Sequence, residues 1–264
     1  MGEVVWLGRY PVKSMLGEEL TDVELGESGI AGDRRHALID ERTALVASAK
    51  NPRKWRGLLK IKAGYDHGGR LVLTLPDGTV VPGDHQARDE LLSRALGRPV
   101  RLAGTRPDGA RLERLTPEVE AGAGELTRGA LAAVTPGDTF VDFAAVHLVT
   151  TATLDALAAD RRRFRPNIVV RMVDPVPFAE NQWPGRTLRV GGLAELRVIV
   201  PTPRCVVPTL AQGRDLPHDP DVLRTAARLN RVPVLNLGVL TCVGAYAAVR
   251  RGGRLRVGDR VLVA

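Results

Sequence analysis

Cysteine is scarce in this sequence of 264 residues, with Cys205 and Cys242 as its only two members. Two distant thiols cannot form a disulfide framework, a four-thiolate metal site or a CxxC redox pair. Long apolar runs are also lacking, since no stretch reaches the roughly 18 apolar residues of a spanning helix. The N-terminus has an acidic residue and no signal-peptide pattern, so we expect a cytoplasmic protein without membrane association.

Lysine and aromatic residues are few as well. Only five of the 38 basic residues are lysines, all before residue 63, and aromatics make up 4% of the chain. A net charge of +8 suggests an anionic partner, although a GC-rich genome produces the same arginine bias. Nucleic-acid surfaces add a basic stripe or stacking aromatics, and the one dense basic run is residues 161–165. We therefore expect no nucleic-acid partner.

Short strands dominate the first hundred residues. The Asp77-Gly78 pair predicts a hairpin turn, and a helix is expected from a cap at Asp84 to Leu96, with Gly97 as its stop. Strands at this spacing favour a barrel or sandwich over a βαβ repeat. These strands are predicted at residues 3–10, 36–40, 59–64 and 71–75.

The second part of the chain begins with residues 104–138, where no apolar period is sustained and a linker or inserted loop is expected. Asp219 followed by Pro220 predicts the start of a helix that runs to about Leu229. We predict a mostly β fold with α+β elements, divided into domains at residues 1–103 and 104–264. The remaining elements are strands at 141–149, 167–172, 255–257 and 260–263, a hairpin at 188–200, and a helix near 154–159.

The two cysteines lie in unlike surroundings. Cys242 lies in an apolar run, where a small buried thiol is expected. Cys205 follows a strand in the proline-rich loop PTPRCVVPT, beside Arg204, and nearby positive charge favours the thiolate that attacks or binds metal. A nucleophilic cysteine would need a base such as histidine, and the five histidines are scattered along the chain. The residues alone leave both a functional and a structural Cys205 open.

Four polar turns combine a cation with hydroxyls or amides, or place such groups where a helix or strand begins. The turns are YPVKS at 10–14, GDRR at 32–35, Thr150-Thr151 and RPN at 165–167. Each alone is typical of a surface turn, but together they suit a phosphate, which arginine, lysine and helix-opening donors all bind. Nucleotide-binding loops are not evident: there is no Walker loop, and AGAGELTRG has Thr127 in the place of a third glycine.

Seven motifs give the chain a family resemblance. YPVKS, GDRRHALID, HLVTTATL, RFRPNIVV, PFAENQW, PTPRCVVPT and RLRVGDRV occur in the order found in the MOSC family, named after the C-terminal domain of molybdenum-cofactor sulfurase. The resemblance includes the N-terminal β-barrel domain of that family. With this domain, the chain resembles the group that includes the mitochondrial amidoxime-reducing component and its bacterial relatives. The resemblance covers nearly the whole chain.

The resemblance implies a molybdenum cofactor of the molybdopterin type, held between two β-barrel domains. Such proteins reduce N-hydroxylated small molecules by oxygen-atom transfer, and here a separate protein would donate the electrons because the chain lacks cysteines for an iron–sulfur cluster. Cys205 would be the catalytic metal ligand. The residues that the resemblance assigns to the pterin and its phosphate are Lys13, Ser14, Arg34, Thr150, Thr151, Arg165, Asn167 and Tyr246.

The chain departs from the pattern of this family in two segments that we expect to border the substrate opening. VVPTLAQGRDLPHDP follows the cysteine in place of a Thr-Thr and an acidic-Pro step, and PFAENQW is less acidic than its counterparts. One alternative function is a cofactor carrier or sulfur-delivery protein, although no pyridoxal-phosphate domain is attached to generate sulfur. The other is anion or nucleic-acid binding without chemistry, which leaves Cys205 and the ordered motifs unexplained.

Overall fold

The computed structural model describes residues 1–131, 135 and 137–264, and residues 132–134 and 136 are outside the description. The first strands are β1 (Gly2–Arg9), β2 (Glu18–Leu20), β3 (Asp22–Gly26), β4 (Gly29–Ile30), β5 (Ala37–Asp40), β6 (Lys62–Tyr65), β7 (Leu71–Thr74), β8 (Val80–Pro82), β9 (Val100–Ala103), β10 (Arg111–Leu115) and β11 (Leu126–Ala130). The later strands are β12 (Val146–Thr150), β13 (Ile168–Met172), β14 (Thr187–Val190), β15 (Ala194–Pro203), β16 (Arg231–Pro233), β17 (Val239–Arg251), β18 (Gly253–Arg256) and β19 (Arg260–Val263).

Helices are short and few in comparison. Three 3-10 helices cover Arg56–Lys60, Ala179–Gln182 and Val207–Thr209. The α-helices are α1 (Pro52–Trp55), α2 (Arg88–Leu96), α3 (Thr151–Ala156), α4 (Arg161–Phe164) and α5 (Asp221–Leu229). None of the helices in the described ranges has the length and apolar character needed to cross a membrane.

Seven strands close into a barrel. Their order is β12, β13, β1, β19, β14, β15 and β17, and β17 pairs back with β12, while β2 and β16 extend the sheet outside this circle. The strand β15 alternates buried and half-buried residues over most of its length, as expected where one strand face meets a core. The barrel is filled by aliphatic side chains such as Val4, Leu7, Leu148, Leu196 and Ala247, so the mostly β fold class is confirmed.

The first strand of the chain belongs to this barrel. β1 pairs antiparallel with β13, where Gly2 faces Met172, and antiparallel with β19, where Gly2 faces Val261. The N-terminal segment therefore contributes the strand β1 to the barrel, and the residues that follow form a second core. That second core contains Val12, Met15, Trp55, Leu58, Ile61 and Leu73, beneath the sheets β5–β9 and β6–β7–β8.

Several predicted elements differ from the structure at their boundaries. Residues 59–64 begin as 3-10 helix and become strand only at Lys62, because Leu58, Leu59 and Ile61 are all buried and break the period of two. The helix expected from Asp84 begins at Arg88 and has no side-chain cap, whereas Gly97 ends it in the left-handed conformation (φ 65°) as predicted. Asp219 Oδ1 accepts from the backbone N–H of Asp221, so α5 starts one residue later than expected.

The expected linker at residues 104–138 is structured in large part. The strands β10 and β11 pair antiparallel over five residues each, with Arg114 opposite Thr127. Glu113 on this hairpin accepts hydrogen bonds from Asn51 Nδ2 (2.8 Å) and Lys54 Nζ (2.7 Å), which tie it to the N-terminal core. The hairpin escapes sequence inspection because neither of its strands alternates buried and exposed residues.

Candidate functional site

A cleft, called the inner cavity here, lies where the N-terminal core meets the barrel, and it has about 760 Å³ of empty space including its opening to solvent. Lys13 and Ser14 reach it from the turn after β1, Arg34 from the loop before β5, and Arg165 from the end of α4. Cys205 reaches it from the loop after β15. Four segments that are far apart in the sequence thus contribute polar side chains to one space.

Backbone hydrogen bonds bring the first two segments together. The chain from Tyr10 to Lys13 runs beside the chain from Arg34 to His36, and the Arg34 N–H donates to the Tyr10 carbonyl (2.8 Å). The Lys13 N–H in turn donates to the His36 carbonyl (2.9 Å). This ladder explains why two motifs separated by some twenty residues face the same cavity.

Three of the residues that line the inner cavity have a left-handed backbone without being glycine. Their φ angles are 64° for Ser14, 44° for Arg34 and 55° for Arg165. This region is costly for residues with a side chain, and such conformations cluster at functional sites. The chain therefore holds these three side chains in place against a local conformational cost.

The inner cavity is strongly cationic. Among the described residues that line it, Asp142 is the one carboxylate. A cavity of this charge attracts a multiply charged anion such as a phosphate ester. Its six cationic side chains are Lys13, Arg34, Lys50, Arg163, Arg165 and Arg204.

Asp142 is clamped by two lysines. Its Oδ1 lies 2.6 Å from Lys13 Nζ and 2.9 Å from Lys50 Nζ. Although desolvation raises the pKa of the Asp142 carboxyl, the two ammonium groups outweigh it and hold the pKa well below its usual range. Burial lowers the pKa of Lys13 to about 8, against the opposing effect of Asp142, so Lys13 titrates close to neutrality.

Arg165 is the least satisfied of these cations. Its guanidinium stacks over the ring of Tyr10, 4.2 Å from the ring centroid. Both Nη atoms are buried and have no hydrogen-bond partner within the described residues. Burial, and then the charge of Arg34, lower the pKa of Arg165 to about 10, which still leaves it charged at neutral pH. Buried guanidinium groups rarely lack partners, so this one is suited to an anionic ligand.

Arg34 and Asn167 support the Arg165 turn. Arg34 Nη2 donates to the Arg165 carbonyl (3.1 Å), and Arg34 Nη1 donates to Asn167 Oδ1 (3.2 Å) and to Asp33 Oδ2 (2.5 Å). Asn167 Oδ1 also accepts from the His147 N–H (3.1 Å), and its Nδ2 donates to the Gly8 carbonyl (3.2 Å). Both side chains line the cavity, but their hydrogen-bonding groups already serve to position the chain around Arg165.

Arginines also fix the loop that carries Cys205. Arg163 is 5% exposed and donates to the carbonyls of Pro208 (3.2 Å) and Pro217 (2.9 Å). Arg204 Nη1 donates to the Phe164 carbonyl (3.0 Å). Cys205 itself is half-buried and lines the inner cavity. Cys242 is fully buried as predicted, and burial raises the pKa of its thiol to about 12.

Tyr246 and His147 complete the wall of the inner cavity on the barrel side. They face each other across β12 and β17, with ring centroids 5.8 Å apart. Burial, followed by the charge of Arg204, holds the pKa of His147 well below its usual range, so the imidazole is neutral. Burial likewise raises the pKa of the Tyr246 phenol, which therefore keeps its proton.

The structure brings seven of the nine residues predicted for the site to the inner cavity, and Thr150 and Thr151 are not among its lining residues. Thr150 is fully buried, and its Oγ accepts from the Thr153 N–H (3.2 Å) as the N-cap of α3. Thr151 is the first residue of that helix. The Thr-Thr pair resembles a phosphate-binding turn in sequence, but here one hydroxyl is used to cap a helix.

Sequence reasoning missed six polar residues of the inner cavity. Arg163 and Arg204 lie within motifs that were already singled out, so their proximity to Arg165 and Cys205 was a usable signal. The others have no local signal, because only tertiary packing brings them to this place. They are Ser48, Lys50, Asp142 and His147.

A second cleft, called the outer cavity here, opens beside the first and has about 1540 Å³ of empty space including its opening to solvent. The two share Cys205 and Tyr246, together with Lys50, Asp142, Pro203 and Arg204. The outer cavity is lined in addition by the β10–β11 hairpin and the turn between β16 and β17. The PFAENQW segment lies away from both cavities, contrary to its expected place at the substrate opening.

A closed β barrel beside a cationic cavity that contains a half-buried cysteine is suited to an anionic ligand such as a phosphate ester. Residues 1–106 match the MOSC N-terminal beta barrel domain, and residues 137–262 match the MOSC domain. The chain belongs to the MOSC family, and the resemblance found in its sequence is confirmed. This family is known to bind the molybdenum cofactor.

The chain is also similar to a solved structure, the crystal structure of the YUAD protein from Bacillus subtilis. The similarity has a TM-score of 0.47 at 12% sequence identity and covers 99% of this chain and 94% of that one. No curated protein matches the chain.

Proposed function

We propose that this protein binds a molybdenum cofactor of the molybdopterin type in the inner cavity and reduces small N-hydroxylated compounds. The observation that carries the proposal is the buried Arg165, whose two Nη atoms have no hydrogen-bond partner among the described residues, in a cavity with six cationic side chains and the Cys205 thiol. A molybdopterin combines a phosphate with a metal that a protein thiolate can bind. The donor set in this cavity fits both requirements.

Each proposed contact uses a group that is available in the structure. Arg165 would bind the phosphate with its two Nη atoms, which have no partner among the described residues. Lys13, whose Nζ also donates to Asp142, would add a second positive charge. Ser14 Oγ already accepts from the Ala49 N–H (3.0 Å) and can still donate its proton to an anion. Cys205 would bind the metal. Thr150 and Thr151 are left out of the proposed set for the reasons given above.

The bound cofactor would supply two-electron oxygen-atom transfer. The overall reaction breaks the N–O bond of the substrate, consumes two electrons and two protons, and releases water. The protein holds the site open at Cys205 and keeps Tyr246 and His147 in their neutral forms beside it. Electrons would come from a separate donor protein, because the two cysteines of the chain cannot bind an iron–sulfur cluster.

Turnover by purified protein tests the proposal. Protein produced in a host that makes the cofactor should contain about one molybdenum per chain, and with reduced viologen it should convert benzamidoxime to benzamidine, measured by chromatography. NADH alone should not support the reaction. Cys205→Ala should fall to the level of a metal-free preparation, while Cys242→Ala, a matched thiol outside the cavity, should keep both metal and activity.

Two other outcomes would contradict the proposal in different ways. Equal turnover in wild type and Cys205→Ala would remove Cys205 as the metal ligand. A molybdenum-loaded wild type without turnover on several N-hydroxylated compounds would instead favour the carrier function, in which the same cavity holds the cofactor without reaction.

A further inference from the structure

The outer cavity lies beside the proposed reaction site and shares Cys205 and Tyr246 with the inner cavity. Because Cys205 forms part of its wall, a molecule within the outer cavity lies next to this residue. Mostly apolar clefts with a few polar groups are typical of small-molecule sites. The remaining walls indicate what kind of molecule would fit.

The hairpin that forms one wall of the outer cavity is clamped in place. Arg231 Nη2 lies 2.9 Å from Glu120 Oε2, and Arg231 Nη1 donates to the Val119 carbonyl (2.7 Å). Glu120 Oε1 accepts from the Thr241 N–H (2.8 Å), so both oxygens of this carboxylate are engaged. A second ion pair, Arg224 with Glu118 (2.9 Å), lies nearby. The connection between β10 and β11 is therefore held against the barrel.

Arg114 is the exception among the charged groups of this wall. Its Nε is buried without a hydrogen-bond partner, and across the described part of the chain its guanidinium has no hydrogen bond or ion pair. The other charged groups are paired with carboxylates or hydrogen-bonded to the chain: Lys50 to Asp142, Arg231 to Glu120, and Arg204 to backbone carbonyls. Among the described lining residues, four cations face two carboxylates, so the outer cavity has a net positive charge.

The rest of the outer cavity is apolar. Phe143, Val200, Val234 and Leu240 line it, and Phe143 packs against Tyr246 with ring centroids 5.6 Å apart. Its rim carries aliphatic side chains that are unusually exposed, at 64% for Leu235, 61% for Leu237 and 52% for Val239. Exposed apolar groups gathered around one opening mark a binding surface. A ligand with an apolar body would cover them.

We propose that the outer cavity is the substrate site of the proposed reductase and selects N-hydroxylated compounds that have an apolar body and a carboxylate. The carboxylate pairs with Arg114, whose planar guanidinium binds such a group with two parallel hydrogen bonds. The apolar body lies against Phe143 and Leu240, and the N–OH group faces Cys205. The reaction at this site rests on the proposed function, whereas the binding of carboxylates to it does not.

Binding is tested first without turnover, on metal-free protein. By isothermal titration, biphenyl-4-carboxylate should bind wild type at least tenfold more tightly than the neutral biphenyl-4-carboxamide. Arg114→Gln should abolish this preference and leave binding of the carboxamide unchanged, which also shows that the variant is folded. Arg111→Gln, an exposed arginine on the same strand, is the matched control and should keep the preference. Leu237→Ser should weaken both ligands to a similar extent.

Turnover then separates this site from the proposed reaction. With cofactor-loaded protein and reduced viologen, 4-carboxybenzamidoxime should have a lower KM than benzamidoxime. Arg114→Gln should raise the KM for 4-carboxybenzamidoxime about tenfold, without changing kcat or the KM for benzamidoxime. Binding that depends on Arg114 without any turnover supports the site and overturns the reaction. Turnover in which neither binding nor KM depends on Arg114 overturns the site and leaves the reaction intact.

Discussion

At the scale of single residues, Arg165 connects the sequence to the proposed function most directly. The RPN motif marked it as a candidate, and the structure buries its guanidinium against Tyr10 with both Nη atoms unpartnered among the described residues. Arg163, two residues earlier in the chain, is occupied, since it donates to two backbone carbonyls. Sequence could rank all of these arginines as candidates but could not show which one was free.

Replacing Arg165 should therefore weaken retention of the cofactor. A charge-assisted hydrogen bond contributes about 1.5–3 kcal/mol, so Arg165→Gln should weaken binding by roughly tenfold or more. The measurement is the pterin released and oxidised to its fluorescent form after extensive dialysis, per mole of protein. Arg42→Gln changes an exposed arginine outside the cavity and should match wild type. Equal pterin in Arg165→Gln and wild type would show that the phosphate lies elsewhere.

The lowered pKa of Lys13 leads us to expect that anion binding depends on pH. Because burial lowers the pKa of Lys13 to about 8, its positive charge is present below this pH and is lost above it. Sulfate, whose charge is constant in this range, should bind metal-free protein progressively more weakly as the pH rises from 7 to 9. Isothermal titration can measure this decline, which should be absent in Lys13→Arg. A pH-independent affinity in wild type would exclude Lys13 from the anion site.

At the scale of elements, the largest difference between expectation and structure lies in residues 104–138. A segment without an apolar period was expected to link two domains, yet its hairpin β10–β11 forms a wall of the outer cavity and contacts both parts of the molecule. Its register depends on Glu113, Glu120 and their distant partners. Such long-range ion pairs leave no local pattern in the sequence.

Helix α3 has a similarly remote support in the buried carboxyl of Glu180. Glu180 Oε1 accepts from the Thr150 N–H (2.6 Å), and Oε2 accepts from the Thr153 hydroxyl (2.8 Å). Glu180→Ala should lower the free energy of unfolding by about 2–3 kcal/mol, because two buried donors lose their partner. Glu180→Gln is the matched control and should lose less in urea denaturation at pH 7.

The pH dependence of stability gives an independent check on Glu180. Burial raises its pKa above the ordinary value of 4.5, so the folded state favours the protonated carboxyl. Wild type should therefore lose stability relative to Glu180→Gln as the pH rises from about 4 towards 7. A loss of stability in Glu180→Ala of less than about 0.5 kcal/mol would contradict a supporting role for this residue.

At the scale of the whole molecule, the two matched domains are joined more closely than their order in the sequence suggests. β1 comes from the segment matched by the N-terminal domain but lies between β13 and β19 in the barrel. The placement of a domain boundary near residue 103 stays a prediction, since the first strand crosses between the two parts.

A fragment of residues 137–264 should consequently fail to form a stable barrel. Without β1, the edges of β13 and β19 are left unpaired and their apolar faces exposed, which favours aggregation. Purified alone, the fragment should lack a cooperative thermal transition in circular dichroism. Co-production with residues 1–131 should restore one. A fragment that unfolds cooperatively by itself would show that β1 is dispensable.

The mostly β fold and the family could be predicted from the sequence, as could the site candidates Lys13, Ser14, Arg34, Arg165, Asn167, Cys205 and Tyr246. These predictions rest on strand patterns, turn residues and motifs, which are formed by residues close together in the sequence. Tertiary packing alone shows that Lys50 and Asp142 join the inner cavity, that the Arg114 guanidinium has no partner among the described residues, and that β1 closes the barrel. Sequence inspection does not reach these features because burial and pairing bring distant segments together, as in the 2.6 Å ion pair between Lys13 and Asp142.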